Sequence, residues 1–384
     1  MHKRIRKQSG LIVRYIYLLV SCWLLTGAFT SIDKNQGASE RGNTELSTDN
    51  ETIRIGLLIP DDPATDPLSR EAVHAVEMAV KRINEDGGIQ GRNVEIVTRS
   101  CEGPWGVGSR QSVELIYDED VSAIIGSLDG ENAHLAEMVI AKAHIIYMGT
   151  RATDPTLSNA NIPWFFRVLP SDRQQAERLM EEIYENRNLE QITVVSTDAY
   201  DDEMAANTFL RMVHSQKRAA PIIVEYNAEN ADFSEIIASL QETDSEGIAY
   251  FGRPDHLNDL IGQMERSGLH QPVYTTLSML QIKDREIINS FSGKVMFVCP
   301  ERWSGFNDTP FHIRFEEEYG YEPGIIAAYS YDGLNVLVES MKRGGTDTEN
   351  IRENLSQLSG FSGVTGQLEF HENGDVVNNT FLCY

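Results

Sequence analysis

Two short segments hold the residue types most able to do chemistry: Ile124-Ile125-Gly126-Ser127-Leu128-Asp129-Gly130-Glu131-Asn132 and Thr150-Arg151-Ala152-Thr153-Asp154-Pro155-Thr156-Leu157. Each follows an apolar strand-like run, and the first opens into a helix-like pattern. Small residues there leave backbone N–H groups uncovered at helix starts, where an anion or carboxylate is held without a catalytic side chain. Thr153 adds a hydroxyl, which either meets a ligand or caps the turn before Pro155. Asp129 and Glu131 flank Gly130; acids in a helix's first turn meet a ligand amine or simply offset the helix dipole. Together the segments read as walls of a binding cleft. Enzyme readings find little support. No G-x-G-x-x-G follows the first strand, no G-x-x-x-x-G-K-[ST] occurs, and Gly360-Phe361-Ser362-Gly363-Val364 lacks the last glycine of a nucleophile elbow. The four cysteines and nine histidines show no zinc spacing, so neither a metal nor a cofactor is expected.

The elements that must position these loops alternate in a βαβα rhythm from Thr52 onward, which predicts parallel sheets covered on both faces. Ile53 to Ile59 is the first strand; Val73, Val76, Val80 and Ile83 then recur at helical steps, and Asp86-Gly87-Gly88 ends that helix. Further strands are predicted at Val94 to Thr98, Ser122 to Gly126 and His144 to Met148, with helices near Ser109 to Tyr117 and Glu131 to Ala143. After Phe165-Phe166-Arg167-Val168-Leu169-Pro170 the rhythm restarts: strands at Ile192, Pro221 and Gly247, helices from Asp202, Asp232 and Leu257. The chain of 384 residues suits two lobes, the second a looser copy of the first.

The order strand, Arg82-Ile83-Asn84-Glu85-Asp86-Gly87-Gly88-Ile89-Gln90-Gly91-Arg92, the two loops, and Phe361-Ser362-Gly363-Val364-Thr365-Gly366-Gln367-Leu368-Glu369-Phe370 with Asn373-Gly374-Asp375 resembles the leucine/isoleucine/valine-binding proteins of bacterial ABC importers. The resemblance runs from about Thr52 to Tyr384 and implies the type I periplasmic binding protein fold, two doubly wound α/β lobes joined by a three-crossing hinge. It places lobe 1 at 52–170 and 300–376 and lobe 2 at 171–299 and 377–384. It also implies a ligand held between the lobes and an ABC permease as partner. Thr153 would meet the ligand's carboxylate, and a backbone group at Arg151 its amine. Gly130 stands where the family usually has Ser, which leaves only N–H donors. Tyr200 aligns with the family's cleft tyrosine, followed here by Asp201 in place of glycine.

Two departures stand out. Where the family places an acid for the ligand's ammonium this chain has Leu277, and Arg253 replaces a family tyrosine. Arg253 reads either as a fork for an anionic ligand or as an ion-pair partner of Asp129 or Glu131 across the cleft. The expected ligand is therefore an amino acid, amide or small organic acid, polar or anionic. The resemblance puts Cys299 and Cys383 in one lobe, either as a disulfide or as two free buried thiols.

Charge and the N-terminus bear on location. All 58 acids lie beyond residue 32, where 28 basic residues remain, a net of −30; such a surface repels nucleic acid and anionic lipid. Lys3, Arg4, Arg6, Lys7 and Arg14 precede a short apolar stretch, Tyr15 to Leu25, which reads as an export signal over 1–28. Leu19-Val20-Ser21-Cys22 offers the competing reading of a lipoprotein with Cys22 acylated. Residues 29–51 have almost nothing to bury and read as a disordered tether. The expectation is an exported monomer, periplasmic or otherwise extracytoplasmic. A ligand-sensing module of a signalling system is the alternative.

Overall fold

The computed structural model describes residues 52–281, 293–302, 309–377 and 380–383. The export signal, Cys22 and the polar tether lie outside the described residues.

The first half is a five-stranded parallel sheet in the order β2-β1-β3-β4-β5. Its strands are β1 (Ile53–Ile59), β2 (Val94–Ser100), β3 (Ala123–Gly126), β4 (Ile146–Gly149) and β5 (Phe165–Arg167). Because helices cover both faces, the central strands are apolar at nearly every position: Ile53, Ile55, Leu57, Leu58 and Ile59 are all buried. Helix α1 (Pro67–Glu85) starts on Asp66, whose carboxylate accepts from the Leu68 and Ser69 N–H groups, with Pro67 in the first turn. It buries Ala72, Val76, Ala79 and Ile83. The intervening helices are α2 (Val107–Val113), α3 (Gly130–Ala143) and the single turn α4 (Thr156–Asn159).

The second half repeats the plan. Strands β6 (Ile192–Thr197), β7 (Ile222–Tyr226), β8 (Gly247–Phe251), β9 (Val273–Thr275) and β10 (Val295–Pro300) follow the same parallel order, 7-6-8-9-10. An antiparallel edge strand, β13 (Thr380–Cys383), closes that sheet beside β10. Helices α5 (Asp172–Met180), α6 (Tyr200–Ser215), α7 (Ser234–Glu242) and α8 (Pro254–Arg266) flank it. Cys299 on β10 and Cys383 on β13 are disulfide-bonded with Cα atoms 6.0 Å apart, which staples the edge strand to its neighbour. Cys101 is buried as a thiol, and burial pushes its pKa up to about 12, so it is inert at neutral pH.

The chain then returns to the first half as α9 (Pro310–Tyr319), α10 (Ile325–Gly344) and α11 (Thr348–Ser356), and α10 lies along α1. The small hairpin β11 (Phe361–Ser362) and β12 (Gln367–Leu368) follows. The chain thus passes between the two sheets three times, after β5, after β10 and between β12 and β13, and side chains bind the crossings to one another. Ser171 and Gln174 form a reciprocal capping box at the start of α5, and Gln174 Nε2 also donates to the Val376 carbonyl at 2.8 Å. Arg167, fully buried at the end of β5, donates through Nε to Asp375 Oδ1 at 3.0 Å, and its Nη2 pairs with the same oxygen. Gly374, at φ +82°, allows this approach, because a Cβ there would collide with the Phe165 carbonyl. Among the described residues no helix is long and apolar enough to cross a membrane.

Candidate functional site

Loops after β3, β4 and β6 converge between the two sheets, since each leaves the carboxyl end of a parallel strand, where open α/β sheets place ligands. Helix α3 begins at Gly130, with Asp129 as its cap: the Asp129 carboxylate accepts from the Asn132 N–H at 2.9 Å. The Gly130 N–H reaches across to the second half and donates to Asp201 Oδ1 at 2.9 Å. A Cβ at position 130 would lie 2.5 Å from that oxygen and 2.9 Å from Tyr200 Cε1, so the missing side chain is what lets Asp201 and Tyr200 close on the helix start.

Asp154 makes the second crossing. It is 1 % exposed and accepts from the Tyr200 hydroxyl at 2.9 Å, from His134 Nε2 at 2.9 Å, and from the Thr156 N–H and hydroxyl at 2.8 and 2.7 Å. Burial alone would raise its pKa; the bonds from His134, Thr156 and Tyr200 outweigh burial and hold the carboxyl well below the usual range. His134 in turn has Asp154 on one nitrogen and Glu137 on the other, and these bonds push its pKa up to about 9. His134 is therefore a cation at neutral pH, fixed on α3, that keeps Asp154 ionised as the acceptor for Tyr200. Arg167 supports the same loop from behind, donating through Nη1 to the Ala152 and Asp154 carbonyls at 3.3 and 2.9 Å.

Thr153 lies between. Its carbonyl accepts the Asp172 N–H at 2.8 Å. Asp172, at the start of α5, is 3 % exposed, and its Oδ2 has no hydrogen-bond partner. Burial raises this carboxyl to about 7, with Asp201 adding to the rise while Thr153 and Arg167 oppose it. Burial and then the Asp129 charge raise Asp201 to about 6, against the Gly130 N–H and Arg151. Arg151 thus sits within electrostatic reach of Asp61, Asp66 and Asp201, and its Nη1 is buried without a hydrogen-bond partner.

Gly130, Thr153 and Tyr200, taken from three separate stretches of sequence, are therefore joined through Asp201, Asp172 and Asp154. Arg253 stands apart. Its Nε and Nη2 hold both oxygens of Asp255 at 3.0 and 2.8 Å, and the side chain is 59 % exposed, so the ion pair anticipated with Asp129 or Glu131 is made instead with its helix neighbour. The reason is local: Arg253 precedes Pro254 at the start of α8, which puts Asp255 in the first turn within reach. Leu277 is 4 % exposed in the hydrophobic core, with its N–H on Gln175 Oε1 at 2.8 Å; it offers a ligand no charge. The sequence reading missed Asp154, Asp172 and His134 as members of the site. Asp172 follows a capping serine, where an acid reads as dipole compensation, and nothing local to the sequence indicates that it becomes buried.

The profile of the Periplasmic binding protein family matches residues 52–383, and the chain belongs to that family. Among curated relatives it is 21 % identical over 345 residues to the leucine-, isoleucine-, valine-, threonine-, and alanine-binding protein of Pseudomonas aeruginosa, covering 87 % of this chain and 90 % of that one. Among solved structures, the branched-chain amino acid transporter substrate-binding protein LivJ of Streptococcus pneumoniae, in complex with isoleucine, superposes with a TM-score of 0.73 at 19 % identity over 86 % of this chain and 95 % of that one. A solute-binding protein of an ABC transporter from R. palustris, in complex with benzoate, gives a TM-score of 0.71 at 17 % identity over 86 % and 92 %. At these identities the structural matches establish the type I periplasmic binding protein fold, and the bound molecules are those of the neighbours.

Proposed function

We propose that this protein is an exported solute-binding protein that holds one small polar molecule between its two halves and delivers it to an ABC permease. The observation that carries the reading is the meeting of the β3, β4 and β6 loops between the two sheets, where Gly130 faces Asp201 and Asp154 faces Tyr200. A ligand inserted there would contact both halves at once, so its binding would favour the closed arrangement. The lobes that close are 52–170 with 300–376 and 171–299 with 377–384, moving about the three crossings. Family membership supports solute binding over catalysis. On this reading the protein is a monomer outside the cytoplasm.

Tyr200 is the side chain to test, since its ring lies at the surface of the contact and is 39 % exposed. Thermal-shift screening against small polar solutes is expected to find a ligand that raises the melting temperature. Tyr200→Ala is expected to weaken that ligand by about 1 to 3 kcal/mol, roughly tenfold to a hundredfold in Kd, by removing the ring and one hydrogen bond to an ionised group. A ligand whose affinity is indifferent to Tyr200→Ala would bind elsewhere and contradict the proposed site.

A further inference from the structure

Two donors that cross between the halves are engaged within the chain: the Gly130 N–H holds Asp201 and the Tyr200 hydroxyl holds Asp154. Arg151, with Nη1 unpartnered, stands in the field of Asp61, Asp66 and Asp201. Acceptor capacity is left over as well. Asp172 is 3 % exposed with Oδ2 unpartnered and lies within electrostatic reach of Asp201, which is itself within reach of Asp129, Asp202 and Arg151. A carboxylate ligand placed at the helix start would have to displace Asp201 and would stand in the field of Asp172.

Building on the solute-binding reading, we propose that the ligand is a small organic cation, a protonated amine without a carboxylate, whose N–H groups complete Asp172 Oδ2 and whose charge balances Asp172 and Asp201. Its body packs against the Tyr200 ring. Among the described residues no three acidic, histidine or cysteine side chains are grouped so as to hold a metal ion. Gly130 and Asp201 act as one unit in this arrangement, the absent side chain of the first making room for the carboxylate of the second. The Leu277 position fits as well. An acid is not needed there when Asp172 and Asp201 supply the charge from the start of α5 and the start of α6.

The groups facing the two acids set a pH dependence. Asp201 sees Asp129, the Gly130 N–H, Arg151 and Asp202, while Asp172 sees Thr153, Asp201, Arg167 and Asp154. Without a ligand, burial leaves them titrating at about 6 and about 7. A bound cation lowers both values, so binding releases protons and affinity falls as pH drops through that range.

The test uses triads on one carbon skeleton: isoamylamine, leucine and 4-methylpentanoate, then phenethylamine, phenylalanine and 3-phenylpropanoate. Each is titrated calorimetrically into protein stripped by unfolding and refolding. The amine is expected to bind at least tenfold more tightly than its amino acid, with no heat from the acid. Its Kd should rise at least fivefold from pH 8 to pH 5.5, and Asp172→Asn should weaken it at least tenfold while the fold, followed by circular dichroism, is kept. An amino acid or acid that binds more tightly than its amine, lost in Tyr200→Ala, would overturn the cation while leaving the solute-binding reading intact. Silence from all six probes would count against both.

Discussion

Replacing Arg167 by methionine should destabilise the protein by about 3 to 5 kcal/mol, the cost of leaving a buried partner charge unpaired. Arg167 is fully buried and spends its guanidinium on Asp375, the Ser158 hydroxyl and the carbonyls of Ala152 and Asp154. One side chain therefore joins the first crossing, the third crossing and the Thr153 loop. Removing it strands Asp375, which retains Ser158 and Asn373 as donors, and frees the backbone that presents Thr153. Urea unfolding is expected to show the loss in midpoint, and ligand affinity should fall with it. A double variant, Arg167→Met with Asp375→Leu, should regain part of the stability, because replacing both members of a buried pair avoids the uncompensated charge. If Arg167→Met unfolds at the wild-type midpoint, the crossing is held by its backbone bonds and the apolar core instead.

Asp172→Asn should move stability the other way. An acid whose pKa is raised by folding binds more protons in the folded chain than in the unfolded one between the two values, here about 7 and the ordinary 3.8. Stability therefore falls as pH climbs through that window, and the full penalty persists above it. A rise of about three units corresponds to roughly 2 to 4 kcal/mol. The variant, which never ionises, should be more stable than wild type by that amount at pH 8 and equal to it near pH 4. Melting curves of the ligand-free proteins at both pH values test this. A variant no more stable than wild type at pH 8 would mean that Asp172 is already compensated within the folded chain. A stability gain joined to lost binding would mark Asp172 as a residue kept for the ligand at the expense of the fold.

Much of the fold was legible in the sequence because parallel strands covered on both faces must be apolar throughout. Ile53 to Ile59, Ile192 to Ser196 and Gly247 to Phe251 stand out for that reason, and the observed strands coincide with them or extend one residue further. The loops at Gly130 and Thr153 were legible as loops at strand ends. Contacts between distant segments were not. Asp154 and Tyr200 lie 46 positions apart, and Gly130 and Asp201 lie 71 apart. Their pairing depends on how the two sheets face each other, which no local pattern encodes. Arg253 shows the local side of the same limit: the ion pair anticipated with Asp129 or Glu131 is made with a closer acid, Asp255, two positions along the chain. The edge strand that carries Cys383 is exposed at Phe381 and short, so its pairing with β10 rested on the resemblance and not on periodicity.

Native mass spectrometry of the mature protein, recovered gently from its own cell envelope, tests most directly whether the cleft is built to hold a solute. The account predicts one non-covalent small molecule per chain, released on denaturation and absent from Tyr200→Ala prepared in the same way. A chain that is ligand-free as isolated, with a melting temperature unmoved by the small-molecule fraction of that compartment, would contradict it; so would a bound molecule that survives Tyr200→Ala undiminished.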